Sequence, residues 1–150
     1  MIQGKWFAPG QDISDEVLPV RACVFGGSSW ESTDPEGWNA LVYSDGCPVA
    51  AGRIWWQDDV FWLGYIGVLE GYRGQHLGDL VLRLLLFKAQ SHAAREVRLI
   101  CPDGTESFFS RLGFKSVRHE NGLSEMMIPG NMISLDSCAA CKKKNCPNRK

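Results

Sequence analysis

A chain of 150 residues, 45% hydrophobic and 22% charged, is long enough for one globular domain with a sizeable core and too short for a second full one. A net charge of −1 and an isoelectric point near 6.3 exclude a global electrostatic drive toward nucleic acid or anionic membranes. The opening Met1-Ile2-Gln3-Gly4-Lys5-Trp6-Phe7 has neither the basic start nor the apolar core of a signal peptide, and no apolar run approaches a membrane span; the expectation is a cytoplasmic protein whose six cysteines are reduced thiols.

Taken in chain order, Ile2 to Phe7 reads as a strand, and Ile13 to Val24 as a helix opened by Asp12 or Ser14, with Pro19 an awkward interior residue. Gly26 to Gly37 is a loop by composition, with room for a short helix after Asp34-Pro35. Trp38 to Ser44 and Pro48 to Trp56 are apolar runs joined by the hairpin signal Asp45-Gly46-Cys47, and Gln57-Asp58-Asp59 turns the chain into a third strand, Val60 to Val68. Leu77, Leu80, Val81, Leu84 and Leu85 have the i, i+3, i+4, i+7, i+8 spacing of a buried stripe on a helix that ends near His92. A strand at Val97 to Cys101, a helix from Thr105 to Leu112, and strands Phe114 to His119 and Leu123 to Ile128 around the turn Asn121-Gly122 complete a mixed α/β order without internal repeats. Of the tryptophans, Trp38, Trp55, Trp56 and Trp62 are expected in the core, by the tendency of large aromatics to bury, while Trp30 falls in the Gly/Ser-rich loop.

The most informative stretch is Val68-Leu69-Glu70-Gly71-Tyr72-Arg73-Gly74-Gln75-His76-Leu77-Gly78, which joins an apolar strand to an apolar helix through a basic, glycine-containing turn. Such a turn presents the unpaired N–H groups of a helix N-terminus, backed by the positive end of the helix dipole, and a phosphate fits there. Gly74 and Gly78 let an anion approach the main chain, and Arg73 adds a cation. A plain strand-to-helix connection has the same local pattern, so the wider context decides between them.

That context is the pair of blocks Val68 to Gly78 and Leu112-Gly113-Phe114. The first resembles the acetyl-CoA pyrophosphate loop of the GCN5-related N-acetyltransferase (GNAT) family, and the second resembles the "LGF" that closes the family's last helix. Arg21 to Phe25, Pro48 to Arg53 and Ser124 to Pro129 look like a subgroup of small bacterial members, and the resemblance runs from about Ile13 to Met132. Ahead of a Cys/Lys-rich tail read from the residues over 131–150, it implies an acyl-CoA N-acyltransferase fold over residues 1–130, with a mixed, mostly antiparallel central sheet flanked by helices. It further implies an acetyl-CoA-dependent enzyme acting on a primary amine of a small molecule or peptide, as a monomer or homodimer.

Carried over by position, the main chain of Ile66, Gly67 and Val68 would pair with the pantetheine arm, and Arg73, Gly74, Gln75, His76, Leu77 and Gly78 would hold the phosphates. Three positions depart from the family pattern. His76 stands in place of a loop glycine, which re-aims an N–H unless the residue takes the right-handed geometry a side chain tolerates, and is expected to weaken cofactor affinity at most. Phe109 replaces the tyrosine that protonates the leaving thiolate, and Pro102 replaces an amide side chain that bonds the cofactor arm. The thiolate then leaves unaided, its thiol pKa being near 8.5, or takes a proton from water or another residue, with Ser107, Ser110, Tyr65 and Tyr72 in view. Glu31, Asp34, Glu36 and Glu70 are the base candidates, although loop carboxylates are usually only solvated. Trp30 lies where this fold admits its acceptor.

The tail carries Cys138, Cys141 and Cys146 in a C-x-x-C-x-x-x-x-C pattern. Two thiolates at that spacing share a tetrahedral metal and Cys146 adds a third ligand, so zinc is one reading, with Cys47, Cys101 or His119 as distant fourth ligands; a solvated basic tail is the other. Lys142-Lys143-Lys144 alone is thin support for a nucleic-acid partner. The alternative to an enzyme is a catalytically weak acyl-CoA-binding module whose tail binds metal or a partner.

Overall fold

The structure is a computed structural model of the chain, and the residues it describes are 1–13, 15–25 and 37–133. The expected cap Ser14, the loop residues Trp30, Glu31, Asp34 and Glu36, and the tail cysteines Cys138, Cys141 and Cys146 lie outside them. The chain divides into two compact units, Met1–Leu85 and Leu86–Lys150.

The first unit is an antiparallel meander of β1 (Ile2–Phe7), β2 (Trp38–Ser44), β3 (Cys47–Gln57) and β4 (Val60–Val68), each strand pairing with the next. Two of its turns are read directly from sequence. Asp45 at φ +50° with Gly46 at +85°, and Asp58 at +55° with Asp59 at +65°, are two-residue turns with both φ positive, the geometry that matches strand twist. Helix α1 covers Val17–Phe25 and begins four residues later than expected. The shorter start explains Pro19, because the third residue of a helix needs no intrahelical acceptor for its nitrogen. Val17 and Val20 join Phe7, Ile13, Leu41 and Ala51 in one buried cluster.

Helix α2, Leu77–Ser91, carries Leu77, Val81, Leu82, Leu85, Leu86 and Ala89 buried, whereas Leu80 and Leu84 are half-buried. The buried face is therefore wider than the predicted stripe and is turned toward Leu82 and Leu86, because apolar residues surround this helix on several sides and spacing alone does not fix its rotation. The helix seats on β3 at Gly52, where a Cβ would come within 2.6 Å of Val81 Cγ1 and 2.9 Å of Leu85 Cδ1. Its end is a paired hydrogen-bond motif, Ala94 N–H to Ala89 O at 3.1 Å and Ala93 N–H to Gln90 O at 3.0 Å, with Ala93 at φ +54°.

The tryptophans differ from expectation: none of Trp38, Trp55, Trp56 and Trp62 is fully buried, and Trp56 is 53% exposed. Near the β3–β4 turn the indole N–H groups need acceptors, and Gln57 provides them, its Oε1 to Trp55 at 2.9 Å and its main-chain oxygen to Trp62 at 3.1 Å.

In the second unit β7 (Leu123–Pro129) pairs antiparallel with both β5 (Glu96–Pro102) and β6 (Lys115–Glu120), the latter through the turn Asn121-Gly122. Val97, Leu99, Cys101, Phe109, Phe114, Met126 and Ile128 are buried. Helix α3 spans only Glu106–Ser110, shorter than the predicted Thr105 to Leu112. Leu112 N–H bonds Phe109 O at 3.0 Å and Gly113 N–H bonds Ser110 O at 3.1 Å, a tightened last turn. Gly113 follows at φ +108°, with Ile128 Cδ1 only 3.0 Å from where a Cβ would stand. Cys23, Cys47 and Cys101, the cysteines among the described residues, are free thiols, and no helix of the described residues is long and apolar enough to cross a membrane.

Candidate functional site

The pairing of β3 with β4 slips between Ala51 and Arg53, where Tyr65 and Ile66 together face a single residue, and Tyr65 takes φ +54°. This is a bulge, which bends the strand and re-aims its groups. The Tyr65 ring lies under two guanidiniums, Arg21 at 4.4 Å and Arg53 at 5.1 Å from its centroid, with Phe25 edge-on at 5.5 Å. Both arginines are 1% exposed, and Arg21 Nη2 donates to the buried Asn39 Oδ1 at 2.8 Å. Buried cations need such compensation, so the bulge is fixed by polar contacts as well as by packing. Sequence reading named Tyr65 as a candidate proton source but missed the two arginines. The available signal was a cation interrupting each of two apolar runs.

Beyond the bulge, Gly67 pairs with Ala51 and Val68 with Ala50, and Leu69 N–H bonds Val49 O at 2.8 Å. Ile66, Gly67 and Val68 are half-buried. At Gly67 a Cβ would stand 2.6 Å from Val24 Cγ1, so the glycine is needed for α1 to lie close to β4. The Val68 carbonyl accepts a hydrogen bond from Arg73 Nε at 3.0 Å. Arg73 therefore ties the loop to the end of β4, a role its sequence position did not reveal.

The loop itself begins as a 3₁₀ turn, Glu70–Tyr72, closed by Tyr72 N–H to Leu69 O at 2.9 Å. Arg73 is extended, Gly74 lies at φ +84° and His76 at φ +63°. His76 is thus left-handed and does not take the right-handed geometry that a side chain tolerates most readily. The chain must reverse into the axis of α2 within two residues, and a left-handed residue is the short way to do so; histidine is among the side chains that tolerate it best. A Cβ on Gly74 would meet nothing within 4 Å, so this glycine is required by its φ and not by lack of space. Leu80 N–H bonds His76 O at 3.1 Å, the first bond of the helix, which leaves the N–H groups of Leu77, Gly78 and Asp79 without an intrahelical acceptor. Arg73, Gly74, Gln75 and His76 are exposed above them. Asp79 is held by Arg83 at 2.8 Å, which offsets its charge at this helix end. Backbone donors, a dipole and an exposed glycine turn fit a pyrophosphate.

The remaining candidates are dispersed. Phe109 is buried in α3 between Phe108 and Phe114, with ring centroids at 4.9 and 6.2 Å in edge-on contact. Pro102 ends β5 and its carbonyl takes both the N–H and the hydroxyl of Thr105. Glu70 is exposed at the loop's first turn and Tyr72 is half-buried beside it. Ser107 and Ser110 are exposed, the hydroxyl of the second bonding the carbonyl of the first at 3.3 Å. Of the distant ligands considered for the tail, Cys47 is exposed, Cys101 is buried with its thiol pushed up by desolvation, and His119 is hydrogen-bonded to Ser124.

Residues 6–114 match the model of the Acetyltransferase (GNAT) family. Among solved structures, ElaA of Escherichia coli is 22% identical with a TM-score of 0.75, the match covering 85% of this chain and 99% of that one. An acyl-CoA N-acyltransferase from Pseudomonas aeruginosa is 16% identical with the same TM-score of 0.75 and the same coverage, 85% and 99%. A GNAT family acetyltransferase from Elizabethkingia anophelis with acetyl-CoA bound is 14% identical with a TM-score of 0.68, covering 85% and 97%. Comparison with curated proteins gives no match.

Proposed function

The chain belongs to the GNAT acetyltransferase family, and from that premise we propose that it transfers an acetyl group from acetyl-CoA to a primary amine of a small molecule or peptide. The observation that carries the reading is the left-handed turn through Gly74 and His76 into α2, with three N–H groups of the helix start left for an acceptor. In this reading the phosphates are held by Arg73, Gly74, Gln75, His76, Leu77 and Gly78, and the arm by the main chain of Ile66, Gly67 and Val68. Bound acetyl-CoA supplies an already activated thioester, so positioning of the amine carries much of the barrier, in favourable cases ~7 to 11 kcal/mol.

Proton movement is left to other groups. Phe109 has no proton to give, and its ring packs edge-on against Phe108 and Phe114. The departing thiolate is stable enough to leave unaided near neutral pH or to take a proton from water. Glu31, Asp34 and Glu36 are the carboxylates to test first as the base, and then Glu70, which is exposed in the loop's first turn.

The test is release of free CoA thiol from acetyl-CoA across a panel of amines. Amine-dependent release supports transfer. Acetyl-CoA binding without release from any amine supports the second reading, an acyl-CoA-binding module, which the missing hydroxyl at Phe109 favours.

A further inference from the structure

In the second unit the register pairs Cys101 with Ser124 and Ser124 with His119, so three side chains line up across β5, β7 and β6. Two carboxylates join this row. Asp103 follows β5, its N–H bonded to Gly122 O at 2.9 Å. Glu106 starts α3, with Oε1 taking the Gly104 N–H at 2.7 Å and Oε2 turned to Ser124.

At the centre lies the Ser124 hydroxyl, whose residue is 0% exposed. Its oxygen is 2.6 Å from Asp103 Oδ1, 2.6 Å from Glu106 Oε2 and 2.8 Å from His119 Nδ1. A hydroxyl has one proton and two carboxylates have none. One of the two 2.6 Å contacts therefore has no hydroxyl proton between its oxygens, so that the second carboxylate calls for a proton or a cation from outside the hydroxyl. The imidazole Nδ1 stands 3.3 Å from Asp103 and 3.8 Å from Glu106, within ion-pair reach of both carboxylates, but it places no proton in the second hydroxyl contact.

We propose that Asp103, Glu106 and His119 bind a divalent transition-metal cation, with the Ser124 hydroxyl beneath it. The three donor atoms lie within 4.8 Å of one another. Ligands about 2.1 Å from a shared ion stand no more than ~4.2 Å apart, and both imidazole-to-carboxylate separations already satisfy that. One nitrogen and two carboxylate oxygens favour a first-row ion such as Mn2+, Co2+ or Zn2+ over Ca2+ or Mg2+, which have no use for imidazole. The mouth is open to solvent, with side-chain exposures of 57% for His119 and 48% for Asp103. A bound ion joins the first turn of α3, which carries Phe109, to β6 and β7. This inference does not depend on the acetyltransferase reading.

Mn2+ is the probe, because thiolates of the Cys-rich tail compete poorly for it. Titrating the full chain with MnCl2 and following the free-ion electron paramagnetic resonance signal should show one ion taken up per chain. His119→Ala, at an exposed side chain, and the isosteric Asp103→Asn should each weaken uptake at least about tenfold, while Cys138→Ser leaves it unchanged. Mn2+ should also raise the melting temperature of the wild type and not of His119→Ala. A free signal undiminished by excess protein, or equal uptake by His119→Ala, overturns the proposal.

Discussion

His76 keeps φ +63° without being a glycine. For an L residue the left-handed region costs roughly 1–2 kcal/mol, so His76→Gly should stabilise the folded chain by about 1 kcal/mol in denaturant titrations. An unchanged midpoint would mean that the side chain recovers the cost by a contact of its own. Tyr43 gives a pH-dependent counterpart. Burial, and then its hydrogen bond to Glu16, raise its pKa from 10.0 to about 12. In that window the unfolded chain has lost a proton that the folded chain keeps, so stability present below the unfolded value drains away as pH rises through the folded one. Tyr43→Phe should remove this part of the alkaline loss, and a variant that loses stability as steeply as the wild type would refute the coupling. At this scale the sequence is only partly legible. Gly74 announces a special φ, whereas a histidine in the same geometry carries no mark, and Arg21 and Arg53 look like surface residues until a bulge and an aromatic ring are placed beside them.

Elements were legible where their chemistry is local. The Asp45-Gly46 and Asn121-Gly122 turns fix strand ends from the sequence alone, and so the β2–β3 and β6–β7 pairings fall where expected. Helix ends were less so. The end of α2 depends on a left-handed alanine at 93, where glycine is the usual residue, and the end of α3 on a tightening that begins before Leu112. Ala93→Gly should therefore raise stability by about 0.4–1 kcal/mol; a loss would contradict the capping geometry. Nor does the sequence say that Gly52 exists to admit a helix. With Val81 and Leu85 within 3 Å of any Cβ there, Gly52→Val should cost about 1–3 kcal/mol and lower the melting temperature. Retention of wild-type stability would mean that α2 packs elsewhere.

For the whole molecule, the family was legible because two short blocks at the right separation mark it, and a match over residues 6–114 places the chain in it. The acceptor was not, because it is set by the shape of loops and not by a motif, and membership in a fold does not name a substrate. Phe109 stands where the resemblance implies a tyrosine: Phe109→Tyr should leave acetyl-CoA binding unchanged and raise CoA release, and a lower rate would mean that protons take another route. The central claim is that the turn into α2 holds acetyl-CoA. Calorimetric titration of the wild type and of Gly78→Val with acetyl-CoA tests it most directly. The account predicts micromolar binding by the wild type, worth about 8 kcal/mol, and none by a folded Gly78→Val. Equal binding by both, or none by the wild type, would contradict it.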